Sequence, residues 1–168
     1  FWSAAFQKDA LVSGLTTRIV STGISLGFGE TLILFVVAYA AIFFFLVLNP
    51  EAKKHSPINI YVAILFLIFS FINIHIQWLL WIVPFIVLLS LTSTKLYRLA
   101  NLLLFLACLI PFLYNDRSMS VSLFGSISKL YDLLPTPFIL VQRFYDPYIL
   151  QSVLQSILAG GSLILALQ

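Results

Sequence analysis

Charge is the scarcest property of this chain. Only 9% of its 168 residues are Asp, Glu, Lys or Arg, while 61% are apolar; a soluble domain carries about 25% charged residues. So few charges do not cover a water-facing surface, which excludes an ordinary soluble domain and places the chain in a membrane. Cysteine is nearly missing. Cys108 stands alone inside an apolar run, so no intrachain disulfide forms, no metal-ligand spacing exists around it, and it reads as a buried, inert thiol. The net charge of +3 is spread out. No basic cluster interleaved with aromatics appears, which excludes a nucleic-acid footprint. Methionine occurs once, at Met119, and the chain opens on Phe1, so a processed or fragmentary chain is expected. The start shows no basic, apolar and small-residue succession of a signal peptide. Neither a cofactor nor a metal centre is expected.

Long apolar runs are what the chain has. They are continuous, whereas a membrane barrel strand alternates apolar and polar residues over about ten positions, so the spans are helical. Residues 31–48 form a first uncharged run, closed by Asn49-Pro50, because the residue before proline leaves the helical region. Pro57 opens the next helix at a position where its missing N–H costs nothing. From 58 to 91 there follow 34 residues without a formal charge. As one helix these would extend about 51 Å, against a hydrocarbon core of about 30 Å. Near their centre lie Asn73, His75, Gln77 and Trp78. The reading is a hairpin: a short helix over 58–72, a tight turn over 73–77 and a return helix over 78–91. Residues 99–114 and 148–167 make a fourth and a fifth span, the latter with Gly160-Gly161 thinning one face for close helix packing.

The expected architecture is therefore all-α: a polytopic integral membrane helical bundle of about five transmembrane helices with a short central hairpin, in a plasma or endoplasmic-reticulum-type membrane. It divides into a surface or loop segment (1–30), a four-helix region (31–114), an external amphipathic loop (115–147) and a C-terminal helix (148–168). In the first segment, Ala10, Leu11, Leu15, Ile19 and Val20 fall at helical spacing, and Gly23, Gly27 and Gly29 mark a loop or break. Within the external loop, 121–134 reads as amphipathic. Five crossings gather Lys53, Lys54, Lys95 and Arg98 on one face, the cytoplasmic one by the positive-inside tendency. The turn at 73–77, the 115–147 loop and the N-terminal 30 residues then share the opposite, external face.

The string N-x-H-x-Q-W-x-x-W-x-x-P between two short apolar helices resembles the late hairpin of polytopic glycosyltransferases of the GT-C type, notably the GPI-mannosyltransferase-like and polyprenyl-phosphate-mannose-dependent branches. The matching residues are His75, Gln77, Trp78, Leu80, Trp81 and Pro84; Ile76 stands where that family often has proline. The resemblance implies a lipid-phosphate sugar donor used on the non-cytoplasmic face, and a chain corresponding to the C-terminal half of such an enzyme. That family's catalytic carboxylate lies in an early external loop that nothing here matches, so the catalytic residues are expected outside this chain.

The candidate substrate-binding residues are His75, Gln77, Trp78, Arg117 and Arg143. An intramembrane histidine and a glutamine with both donor and acceptor suit a hydroxyl-rich ligand. Trp78 stacks on a sugar face or a lipid chain, and an arginine fork grips phosphate oxygens bidentately. Each also has a structural reading: a turn histidine satisfied by carbonyls, a Gln77–Asn73 staple, an interfacial aromatic belt, and ion pairs to Asp116 or Asp146. Asp116 and Asp132 are acid–base candidates with no partner carboxylate fixed beside them. The expected partners are membrane lipids, a polyprenyl-phosphate sugar and other membrane subunits. The alternative function is a non-catalytic accessory subunit of a larger membrane complex.

Overall fold

The computed structural model describes residues 14–49, 56–125 and 127–168. Lys8, Asp9, Ala10, Leu11 and the loop carrying Lys53 and Lys54 lie outside them. The chain is mostly helical, with one two-stranded hairpin. In order come α1 (Gly14–Ser21), β1 (Gly23–Gly27), β2 (Glu30–Ile33), α2 (Leu34–Leu48), α3 (Pro57–Phe71), a 3₁₀ segment (Ile76–Trp81), α4 (Val83–Leu89), α5 (Thr94–Leu109), α6 (Pro137–Gln142) and α7 (Pro147–Ala166).

Local chemistry sets where these elements start. Pro57, Pro137 and Pro147 each occupy a first helical turn, behind Ser56, Thr136 and Asp146, whose side chains accept from the backbone N–H of Ile58, Ile139 and Tyr148. A capping oxygen followed by a proline satisfies or removes the donors that every helix start leaves orphaned. The expected first span loses its opening residues to a strand, because Thr31 to Ile33 pair with β1 in antiparallel register, Ile24 opposite Leu32 and Ser25 opposite Thr31. What the glycines predicted as a loop is the tip of this hairpin. Gly27, Phe28 and Gly29 there have φ of 97°, 51° and 85°, a left-handed run that only glycine adopts without cost.

The central run doubles back. Helix α3 ends at Phe71, residues 72–75 leave the helical path, and the return begins as a 3₁₀ segment before α4. Tyr61 and Phe85, twelve residues on either side of Asn73, bring their rings to 4.4 Å between centroids, which fixes an antiparallel hairpin. The return differs from the single helix expected over 78–91, and Pro84 accounts for the difference. It has no N–H and its ring collides with the carbonyl four residues back, so a continuous α-helix through 80–84 is barred; a 3₁₀ segment precedes it and α4 starts with proline in its first turn.

Helices α3, α5 and α7 form the core. Buried positions on α5 are Leu96, Ala100, Leu103 and Ala107; on α7 the series Gln151, Gln155, Leu158, Ser162 and Leu165 is buried, with Pro147 and Ala166 at the helix ends. Both series alternate spacings of four and three, the seam of a left-handed helix pair. The faces turned away from the seam also carry large apolar residues, with Leu102, Phe105, Ile157 and Ile164 about half exposed. Gly161 is where the seam closes: a Cβ there would run into the Leu103 side chain, whereas Gly160 faces open space. Of the expected glycine pair, one residue makes the close approach.

Two helical stretches are long and apolar enough to cross a membrane, Thr94–Leu113 and Pro147–Ala166; Leu34–Leu48, Pro57–Phe71 and Ile76–Leu89 are shorter apolar helices. The 115–147 loop is not one amphipathic helix. It runs as 3₁₀ turns at Arg117–Met119, Val121–Phe124 and Lys129–Leu133 before α6. Serines at 118, 120, 122 and 128, with Gly125 and Pro135, compete with or break helical hydrogen bonding, so only single turns survive.

Candidate functional site

The end of the bundle at the 72–75 turn carries the densest buried polar chemistry among the described residues. Three remote pieces of chain meet there. The Arg18 guanidinium, from α1, donates through Nη1 to Asn73 Oδ1 and through Nη2 to Gln155 Oε1, both at 2.7 Å. The Ile74 N–H donates to the Tyr114 hydroxyl at 2.8 Å. Tyr114 lies beside Gln151 and Arg18. One guanidinium and one phenol thus tie α1, the hairpin turn, the end of the α5 span and the first turns of α7 together.

The positions follow from helix geometry. Gln151 and Gln155 are four residues apart, so both point from one face of α7, and both are buried at 7% exposure. An amide buried in an apolar helix needs a partner, and Arg18 supplies one to Gln155. The turn exists because 72–75 give up helical hydrogen bonding. The freed Ile74 N–H, on a residue with no exposed surface, is satisfied from forty residues away by Tyr114.

Two cavities flank this node. The outer one, about 590 Å³, is lined by Arg18, Asn73, Tyr114, Asn115, Asp116, Met119, Tyr148 and Gln151. The inner one, about 370 Å³, is lined by Arg18, Thr22, Leu34, Ser70, Phe71, Ser152, Gln155, Ser156 and Ala159. Both volumes lie in the range of small-molecule sites. Arg18 borders both. Asp116, exposed at the outer rim, uses its carboxylate to accept from the Ser118 N–H at 2.8 Å, capping the turn that follows.

The residues expected from the sequence fall around this node, not in it. His75 sits beside Trp78, ring centroids 5.7 Å apart, and both are half-buried. Gln77 is exposed, and Asn73, its expected staple partner, accepts from Arg18 instead. Arg117 is exposed and donates to the Leu134 carbonyl at 3.2 Å. Arg143, also exposed, forms the C-cap of α6. None of the five lines either cavity. The hairpin and the 115–147 loop do converge, through Asn73 and Asn115-Asp116, the immediate neighbours of the expected residues. Asp132 carries no described side chain. Sequence reasoning missed Arg18, Gln151, Gln155 and Tyr114. The available signal was the Gln-x-x-x-Gln pair in an otherwise apolar helix, which demands a polar partner from elsewhere in the chain. No group of three or more His, Cys, Asp or Glu side chains able to hold a metal ion occurs among the described residues. No family model matches this chain, and no curated protein and no solved structure matches it either.

Proposed function

We propose that this chain is the C-terminal transmembrane part of a lipid-linked-sugar-dependent glycosyltransferase, mannosyltransferase-like, that holds its lipid-phosphate donor at the external face of a multi-pass bundle. One observation carries the reading: the polar turn of the N-x-H-x-Q-W string and the start of the 115–147 loop line a single cavity, through Asn73 and Asp116. A charged donor head needs a polar pocket at membrane depth, and a doubled-back hairpin beside an external loop provides one. In this reading the protein contributes binding and positioning. Asn73, Tyr148 and Gln151 offer hydrogen bonds to hydroxyls, Asp116 is the carboxylate at the rim, and the catalytic carboxylate comes from outside this chain. The test is sugar transfer by the full-length protein. Asn73→Leu and Asp116→Asn are expected to lower kcat/KM at least tenfold, with Gln77→Ala and Arg117→Gln, outside the cavity, affecting it less. Unaltered transfer in both cavity variants refutes the reading.

A second reading, a non-catalytic accessory subunit, is favoured by a different observation. The outer face of α7 exposes Ser152, Ser156 and Gly160 at intervals of four, a small-residue stripe of the kind that lets another membrane helix approach closely. Co-purification at fixed stoichiometry with larger subunits supports it; a chain that runs alone in mild detergent contradicts it.

A further inference from the structure

We infer that Arg18 and Gln155 form an anion site for the phosphate of an amphiphile, with the phosphate on the guanidinium and the apolar tail in the inner cavity. The inference rests on the donor-site reading for the nature of the carrier, but its chemistry comes from the node itself.

Arginine stays protonated in proteins and presents five N–H donors. Arg18 uses two, both on neutral amide oxygens, and forms no ion pair among the described residues. Asp116 lines the same outer cavity, where its Oδ1 accepts from the Ser118 N–H, and it forms no ion pair with Arg18. The charge of this half-buried guanidinium therefore meets neutral amide oxygens and no ion-pair partner among the described residues. Removing a charge from water costs several kcal/mol, which amide dipoles offset only in part.

The second observation is independent. Gln155 is 7% exposed. Its Oε1 is taken by Arg18, and its Nε2 has no hydrogen-bond acceptor among the described residues. Flipping the amide does not cure this, since it would set an NH₂ against the guanidinium. The node is thus rich in donors and short of negative charge, and a buried unpaired donor costs about 1–3 kcal/mol. A phosphate oxygen pair answers both needs, because it takes a guanidinium fork and an amide N–H together. Next to these donors, the inner cavity is walled by Leu34, Phe71 and Ala159 together with serine hydroxyls. Ser70, Ser152 and Ser156 donate to carbonyls of their own helices, so they line the wall without adding charge. A charged end beside a pocket walled in part by Leu34, Phe71 and Ala159, with serine hydroxyls bonded back to their own helices, suits an amphiphile over a free ion.

The test uses the full-length protein in neutral maltoside detergent, with the thermal midpoint followed against dodecyl phosphate, inorganic phosphate and dodecanol. Binding to the folded state alone raises the midpoint saturably. Dodecyl phosphate is expected to do so, and the other two are not. Equal stabilisation by inorganic phosphate overturns the amphiphile assignment in favour of a free-phosphate site. Arg18→Gln is expected to weaken dodecyl phosphate about ten- to a hundredfold, the loss expected for charge-assisted hydrogen bonds. Because Arg18→Gln also unties the fold, Gln155→Glu provides the decisive variant. It sets a carboxylate on the guanidinium, supplying the counter-charge internally and removing the orphaned donor. Its midpoint without ligand should equal or exceed that of the parent, with dodecyl phosphate binding at least tenfold weaker. Parent-like binding by Gln155→Glu, or no saturable effect on the parent, overturns the inference. No sugar enters this assay. Binding without sugar transfer removes only the glycosyltransferase reading; sugar transfer without binding removes only this site.

Discussion

Replacing Tyr114 by Phe deletes a single oxygen and asks what holds the hairpin turn in place. That oxygen accepts from the Ile74 N–H at 2.8 Å. Ile74 has no exposed surface, so water does not replace the lost acceptor. The orphaned amide costs about 1–3 kcal/mol. The ring and its packing are unchanged, so no cavity term enters. For a chain of this size each kcal/mol moves the thermal midpoint by roughly 2–4 °C. Circular dichroism in neutral detergent measures the shift, and amide hydrogen exchange at Ile74 localises it. Tyr97→Phe, at an exposed tyrosine of α5, is the control and is expected to stay within about 0.5 kcal/mol. A Tyr114→Phe protein as stable as the control, with the Ile74 amide as protected as before, refutes the claim that this phenol anchors the turn.

The glycine pair gives a sharper contrast within one helix. Gly161→Leu forces a side chain into Leu103 and is expected to cost about 1–3 kcal/mol by overpacking, while Gly160→Leu, facing open space, changes the unfolding midpoint little; equal effects would contradict the α5–α7 seam. At the hairpin tip, Phe28→Asn relieves a left-handed backbone that a bulky residue adopts only at a cost of about 1–2 kcal/mol. A raised midpoint is expected, and a lowered one would mean that the ring makes a contact worth more than the strain. Asp146→Ala removes the oxygen that accepts from the Tyr148 N–H. It should cost about 0.5–2 kcal/mol and raise exchange in the first turn of α7; an unaltered exchange pattern would show the cap to be dispensable.

The hairpin was legible in the sequence because its signal is a conflict of lengths. Thirty-four uncharged residues are too many for one crossing, and the polar groups of 73–77 mark where the chain turns. The start of the helix at Pro57 was legible too, since a proline in a first helical turn has a purely local cause. What the sequence hid was non-local. Arg18 reads as one charge in a mixed N-terminal segment, and its partners lie 55 and 137 residues away; no periodicity joins them. The β-hairpin escaped because glycines at 23, 27 and 29 signal a break without saying that the flanking residues pair. The 3₁₀ path through 76–81 escaped because the apolar pattern is the same for a 3₁₀ turn as for an α-helix, and Pro84 decides between them from downstream. None of the five candidate residues lines either cavity. Asn73 and Asp116 reach the cavity where Gln77 and Arg117 do not, because side-chain direction at a turn depends on backbone dihedrals that composition does not encode.

The central claim is that the 72–75 turn and the start of the 115–147 loop sit at one end of the bundle, with the 90–93 connection at the other. Side-specific labelling tests it most directly. In a Cys108→Ser background, single cysteines replace the exposed residues Gln77, Ser118 and Thr92, and a membrane-impermeant maleimide is added to sealed, oriented vesicles. Gln77→Cys and Ser118→Cys are expected to label from the same side and Thr92→Cys only from the other. Labelling of Gln77→Cys and Ser118→Cys from opposite sides would contradict the shared cavity, and with it the site built on Arg18, Asn73 and Gln155.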